Sequence, residues 1–274
     1  VESAKAGITT GVGFTPFKNA YLIMLLPYSI VTISIVTALL PHMSKLAINK
    51  KIDDVKAQLL RAIKTVGVLT IPSSVAFLLF GPLITEVLFF GISKDDGIYI
   101  GYVLSALSLG LVAFSINLVL IRGFNAFEDT RTQVWSILII NIISVGLSYV
   151  FLAVLPSDWV TVGLGVAFSV SYLIGLFITL RLLKKHTGTI HVREFIGQHG
   201  RLLLAALIAM LPIFAISQYF GWVGSDQSSL IRASELLFVI VAGTLGYFLA
   251  AKALRITEVS GITALILRRN KAAE

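Results

Sequence analysis

The sequence predicts an all-α, polytopic membrane bundle of seven spans, and three observations carry that reading. The chain is 57% hydrophobic and only 13% charged, where a soluble domain carries roughly 25% charged residues. Its charge-free stretches are each about as long as the 20 residues a helix needs to cross a bilayer. Lysine and arginine crowd into alternate connections between those stretches, as they do when one set of loops is held in the cytoplasm.

The spans fall at 19–44, 65–85, 97–121, 132–157, 159–180 and 202–225, with a seventh at about 230–251 in which Leu230 and Ile231 extend the apolar run across Arg232 and Glu235. Pro27, Pro72 and Pro212 lie inside three of them. Lipid-embedded helices tolerate such prolines where neighbours satisfy the freed carbonyls. Each reads as a packing kink, with a hinge for a moving helix as the alternative.

The connections fix the expected orientation. Residues 45–64 hold six Lys and Arg, 122–131 two, 181–201 five and the tail from 252 five. The other side holds Lys5, Lys18, one cation in 86–96, none at 157–158 and one in 226–235. Eighteen against four puts the rich side in the cytoplasm, the N-terminus outside and the C-terminus inside. In 53–64, "DDVKAQLLRAIK", Val55, Leu59, Leu60 and Ile63 share one helical face after an Asp pair suited to a helix start. That pattern predicts an amphipathic helix on the inner leaflet, its cations meeting anionic phospholipids. Residues 181–201 read as a solvated cytoplasmic connection, and His186 and His191 lack a metal-ligand pattern.

The residue types exclude several activities. No cysteine is present, so disulfides and thiolate metal sites are ruled out. The net charge of +8 follows from the loop bias and does not call for a nucleic-acid partner. There is no P-loop, dinucleotide fingerprint or zinc-protease motif. Asp95, Asp96 and Asp158 sit where loops end helices. No enzyme and no cofactor are expected. The middle of every span is free of charge, and Asn117, Asn141 and scattered Ser and Thr supply its polarity. Interhelical hydrogen bonding explains these; substrate contact, for Asn117 above all, is the alternative.

One charged knot interrupts the apolar sequence: "RGFNAFEDTRTQV", residues 122–134. Asp129 with Thr130 suits the start of the next helix. Arg122 and Arg131 are placed to meet lipid phosphate or to pair with Glu128 and Asp129, clamping two helices into one unit at a cytoplasmic gate. The stretch resembles the Arg-x-Phe-Tyr-Ala-x-x-Asp-Thr-Lys/Arg-Thr-Pro signature of the MviN/MurJ family, proposed flippases of the peptidoglycan precursor lipid II. Arg122, Phe124, Ala126, Asp129, Thr130, Arg131 and Thr132 match, with Asn125 for Tyr and Gln133 for Pro. "LPYSIVTISIVTALLPHMSKLA", 26–47, is similar to the family's proline-led helix ending in Leu-Pro-x-x-Ser, and "IPSSVAFLLFGPLITEVLF", 71–89, to its next helix.

The resemblance implies a fourteen-helix bundle of the bacterial cytoplasmic membrane with both termini inside, of which this chain is the C-terminal half. The start at Val1, without Met or signal peptide, agrees with that expectation. Residues 1–18 then form an external segment, 19–185 the five spans of the second lobe, 186–201 a cytoplasmic linker, and 202–274 two further spans and a basic tail. In the family those two spans form a groove for a polyprenyl tail; Gly243 and Gly246 there suit close helix packing. The helix before the family's conserved proline carries an arginine and an acidic residue facing the cavity; aligned on Pro27, those places hold Leu22 and Leu25. Lys18, Asn19 and Tyr21 are the nearest polar candidates for lining it.

The implied function is alternating-access flipping of lipid II or a related polyprenyl-pyrophosphate-linked sugar, together with the N-terminal half of the same protein. Two other readings stand beside it. A cation-coupled multidrug antiporter of the same superfamily would carry a buried carboxylate, which the span centres lack. A non-transporting scaffold would recruit cell-wall synthesis proteins through its cytoplasmic loops.

Overall fold

The computed structural model describes residues 13–224 and 228–256, apart from the side chains of Val31, Ser34, Val36 and Ala38. Most of the expected external segment and the basic tail beyond 256 lie outside the described residues. The chain forms α1 (Phe14–Pro27), a π-helical turn (Tyr28–Thr32), α2 (Ile33–Ile48), α3 (Ile52–Leu88), α4 (Lys94–Ala126) and α5 (Thr130–Val154). A 3-10 turn (Ser157–Trp159) leads into α6 (Val160–Thr187), followed by α7 (Arg193–Tyr219) and α8 (Ser229–Ala253). Among the described residues, six helices are long and apolar enough to cross a membrane. The first crossing is the broken run of α1, the π turn and α2, neither half of which is long enough alone.

Side-chain chemistry at the termini sets these boundaries. The Ser93 hydroxyl accepts the Asp96 N–H at 3.2 Å and starts α4, with Asp95 and Asp96 in the first turn where the helix dipole favours acid. Gly188 at φ 69 ends α6 behind Lys184, Lys185 and His186, cations suited to the negative end of the dipole. The π turn follows Pro27, whose ring has no N–H to give; Ile33 N–H reaches back five residues to Tyr28 O. By contrast, α3 and α7 remain α-helical through Pro72, Pro82 and Pro212.

Packing is closest along α3 and α4, which small residues bring together. A Cβ built on Gly101 would lie 2.3 Å from Pro82 Cα. Along the same seam the Ser74 hydroxyl donates to Ser108 O at 2.6 Å, Ser105 to Phe77 O at 3.0 Å and Thr85 to Gly97 O at 2.7 Å. Helices in lipid associate through such close backbone approach and hydroxyl–carbonyl bonds. Gly110 is equally tight against Ser169 of α6, whose hydroxyl donates to Ala106 O at 2.7 Å. Helix α5 rests on α6 and is almost wholly exposed, presenting Val134, Trp135, Leu138, Ile142 and Val145 outward. An apolar face of that kind belongs against lipid or other membrane helices.

Two boundaries differ from the sequence reading. Residues 53–64 do not form a separate surface helix: they are the first turns of α3, and Val55, Leu59 and Ile63 are fully buried in a core shared with α4 and α6. At about 1.5 Å per residue a 37-residue helix is about 55 Å long, so α3 outruns the roughly 30 Å hydrocarbon layer. The apolar face of its overhang meets a neighbouring helix, and an amphipathic pattern does not distinguish that partner from a headgroup layer. The 181–201 connection likewise contracts to five residues between α6 and α7. Lys56 anchors it, donating to Thr189 O at 2.9 Å and lying 3.2 Å from Glu194 Oε1.

Candidate functional site

The open face of the first crossing combines α1, the π turn, α4 and α6. Tyr21 packs edge-on to Phe168 and stacks with Phe17. Tyr28 meets Phe114 edge-on at 5.0 Å, and Phe114 and Phe168 both contact Tyr172. Six aromatic rings from four elements thus form one continuous wall. Lys18 is exposed and Asn19 half-buried beside it. A four-residue stripe, Lys18, Leu22, Leu26 and Ile30, runs exposed along this crossing. Leu22 is 53% exposed on it, whereas Leu25 turns inward onto the core of α4. Only the first of the two leucines could present a side chain to a partner across this face.

Asn117 is not on that wall. It is 1% exposed, and its amide donates to Ala113 O at 3.0 Å and Tyr172 O at 3.1 Å. Its carbonyl accepts from the Thr179 hydroxyl at 2.7 Å, which in turn lies 2.8 Å from Ser136 Oγ. One polar chain therefore ties α4, α6 and α5, leaving the amide nitrogen engaged on both sides. Asn141, in contrast, donates only within its own helix, to Ile137 O.

At the end of the bundle rich in cations, Asp129 is a hub. One oxygen accepts the Thr132 N–H at 3.0 Å and caps α5. The other lies 2.6 Å from Lys185 Nζ and 2.7 Å from His186 Nε2. Lys185 also donates to the Thr132 hydroxyl at 2.5 Å, and the His186 ring stacks on Phe127 with 4.8 Å between centroids. The hydrogen bonds from His186, Lys185 and Thr132 hold the Asp129 carboxyl far below the usual carboxylate range. The side-chain partners of Asp129 thus include Lys185 and His186, which lie outside the 122–131 knot. Among the described residues neither Arg122 nor Arg131 pairs with Glu128 or Asp129. Glu128 is exposed in the left-handed turn at φ 54, and Arg131 is exposed as well. Arg122 is half-buried, and its Nε has no hydrogen-bond partner among the described residues. The knot's side chains point away from one another because α4 ends in a reversing turn, while the last turn of α6 arrives alongside carrying two cationic side chains.

The family model described as lipid II flippase MurJ matches residues 4–231. The chain belongs to this family. A "probable lipid II flippase MurJ" of Rhizobium meliloti is 27% identical over 254 residues, covering 92% of this chain and 46% of the relative. The "lipid II flippase MurJ" of Burkholderia cenocepacia is 26% identical over 232 residues, covering 82% and 43%. A solved lipid II flippase MurJ in an inward closed conformation superposes with a TM-score of 0.64 at 20% identity, covering 88% of this chain and 47% of that one. The chain spans about half the length of the relatives it matches. The MurJ family and the long apolar helices together make it a multi-pass protein of the bacterial inner membrane.

Within this MurJ-family lobe, the three prolines differ in setting. Pro27 is buried and followed by the only π-helical turn among the described residues. Pro72 is buried in continuous helix and Pro212 exposed in continuous helix. Gly243 and Gly246 face Met210, Ile213 and Ala209 of α7, so they let the last two helices pack closely. That pair docks on α3 through Tyr247, which donates to Val68 O at 2.8 Å, and His199, set against Gly67. Sequence reasoning missed Lys185, His186, Tyr28, Phe114 and Tyr172. The Lys-Lys-His run at the end of an apolar stretch was a visible signal for the first two, since cations gather at helix C-termini. Nothing in local spacing marks the aromatic wall. Two buried carboxylates, Glu86 and Glu235, were also unforeseen: the span centres are uncharged, but these helix-end acids are 4% and 9% exposed.

Proposed function

We propose that this chain is the C-terminal lobe of a flippase that turns a polyprenyl-pyrophosphate-linked peptidoglycan precursor, lipid II, across the cytoplasmic membrane by alternating access. The family match over residues 4–231 carries the reading. In it, the 122–131 knot, the cationic last turn of α6 and the 188–192 connection face the cytoplasm, and the first crossing enters from outside. The aromatic wall with Lys18, Asn19 and Tyr21 faces the N-terminal half across the transport cavity. Asp129, Lys185 and His186 lock α5 to α6 so that the lobe rocks as one body. Arg122, outside that lock, half-buried and with its Nε unpartnered among the described residues, is the cation of this lobe best placed for a phosphate. Leu22 leaves the remaining cationic contacts to the N-terminal half. The weak break at Pro27 is the place where the first crossing bends as the cavity opens.

The antiporter reading gains little, because Glu86 and Glu235 sit near helix ends and not at span centres. Depletion of the full-length protein in its own cells provides the test. Lipid-linked precursor should accumulate and cells should lyse, with rescue by the full-length gene. Normal growth and normal precursor levels after depletion would contradict the proposal.

A further inference from the structure

The cations at the end of α6 differ in what they hold. Lys185 and His186 are engaged by Asp129. Arg181 and Lys184 are both exposed and enter no hydrogen bond or ion pair among the described residues. These two line a cavity of about 420 Å³ between the end of α6 and the 188–192 connection, together with Phe177, Thr189, Ile190 and Val192. The connection side of the cavity is held in place. Lys56 of α3 donates to Thr189 O at 2.9 Å and lies 3.2 Å from Glu194 Oε1, and Ile190 is buried in the core shared by α3, α4 and α6. Leu173, Phe177, Arg181 and Lys184 follow one another at helical spacing and share one face of α6. On that face the cations stand at the helix end, while Leu173 and Phe177, 43% and 58% exposed, continue toward the middle of the span. Phe168 of the aromatic wall precedes Phe177 by nine residues, about two and a half turns at roughly 3.6 residues per turn, and so lies on the opposite side of the helix.

We propose that this cavity binds the phosphate of an anionic membrane phospholipid between Arg181 and Lys184, with an acyl chain laid along Phe177 and Leu173. Two positive charges without a counter-ion among the described residues attract an anion, whereas a zwitterionic headgroup brings its own cation and gains less. Basic clefts between membrane helices hold anionic headgroups in this way. The guanidinium offers paired N–H donors to phosphate oxygens, and the ammonium adds a point charge. The Thr189 hydroxyl, on the other side of the cavity, is a further donor. A free anion would use only the polar end of this face. A ligand that joins a phosphate to a hydrocarbon chain matches the cations and the exposed apolar side chains together. The site takes the bilayer's own lipid and not the flipped substrate, because it lies on the side of α6 turned from the aromatic wall. Only the choice of leaflet, the cytoplasmic one, rests on the proposed orientation.

The test titrates the full-length protein in detergent with phosphatidylglycerol or phosphatidylcholine of identical chains and counts retained lipids by native mass spectrometry. Wild type should retain phosphatidylglycerol over phosphatidylcholine. Arg181→Gln and Lys184→Gln should each weaken phosphatidylglycerol retention about five-fold, the usual contribution of one basic residue at an anionic surface. Phosphatidylcholine retention should not change. Both side chains are exposed, so the variants should melt with wild type, and the wild-type lipid comparison needs no variant. Arg61→Gln, which removes an exposed cation of α3 outside the cavity, should leave retention unchanged. Excess inorganic phosphate should not displace the lipid. Equal retention of the two lipids by wild type, an unchanged preference in the Arg181→Gln/Lys184→Gln double variant, or an equal loss in Arg61→Gln overturns the proposal. Displacement by inorganic phosphate also overturns it, in favour of a free-anion site. Lipid II movement plays no part in this readout, so a failure here leaves the flippase reading standing.

Discussion

Removing the Asp129 side chain should loosen the joint between α5 and α6, and the cost can be built from its contacts. Asp129→Ala deletes an N-cap, worth about 1 kcal/mol with a range of roughly 0.5–2. It also deletes the contacts to Lys185 and His186, whose side chains are 52% and 24% exposed. Ion pairs of that exposure contribute about 0.2–1 kcal/mol each. The total comes to about 1.5–3 kcal/mol. Asp129→Asn keeps a side-chain oxygen that caps nearly as well as aspartate, so it should lose only the charged part, about 0.5–1.5 kcal/mol. The assay is unfolding of the full-length protein in detergent, with Lys185→Met in a double-mutant cycle to isolate the pair. The charge share also has a pH signature. Because the folded carboxyl is held below the ordinary aspartate value of 3.8, its contribution is complete above that value and declines as pH falls beneath it. Asp129→Asn should flatten the decline. Equal stability of wild type and Asp129→Ala, or no coupling between Asp129 and Lys185, would refute the clamp.

Three further outcomes follow from the packing. Gly101→Ala should destabilise by roughly 1–3 kcal/mol, since its Cβ meets Pro82 backbone. Gly146→Ala, with nothing within 4 Å, should be neutral or stabilise by about 0.5–1 kcal/mol; thermal melts of the pair decide. Asn117→Ala should cost about 0.6–2 kcal/mol in the same melts while leaving apparent substrate affinity unchanged, because its amide is spent on α6; a selective loss of affinity would move Asn117 into the cavity. Single cysteines, to which this cysteine-free stretch lends itself, should label with an impermeant maleimide in intact cells at Gly91 and stay protected at Asn49. The reverse pattern would invert the proposed orientation.

Much of the architecture was legible because lipid imposes a simple rule: long uncharged runs become spans. Asp129 before an apolar run marked the start of α5 through capping chemistry that operates within four residues. Legibility ended where partners are distant in sequence. The hub joins Asp129 to Lys185 and His186, more than fifty residues on, and pairing of that range is decided by which helices lie side by side. Local logic pointed instead to Arg122 and Arg131, near in sequence but turned elsewhere by the reversal at Phe127 and Glu128. The 53–64 face erred for a related reason, since Val55, Leu59 and Ile63 make the same stripe whether it meets α4 or headgroups. The burial of Glu86 and Glu235 was not legible, because cover by a neighbouring helix end leaves no trace in hydropathy.

Transbilayer movement of lipid II in liposomes containing the purified full-length protein tests the central claim most directly. Fluorescent lipid II in the inner leaflet should become accessible to a membrane-impermeant quencher when the protein is present. The gain should shrink in Asp129→Ala protein reconstituted at equal amounts. Accessibility no greater than in protein-free liposomes, with the protein folded and correctly inserted, would contradict it.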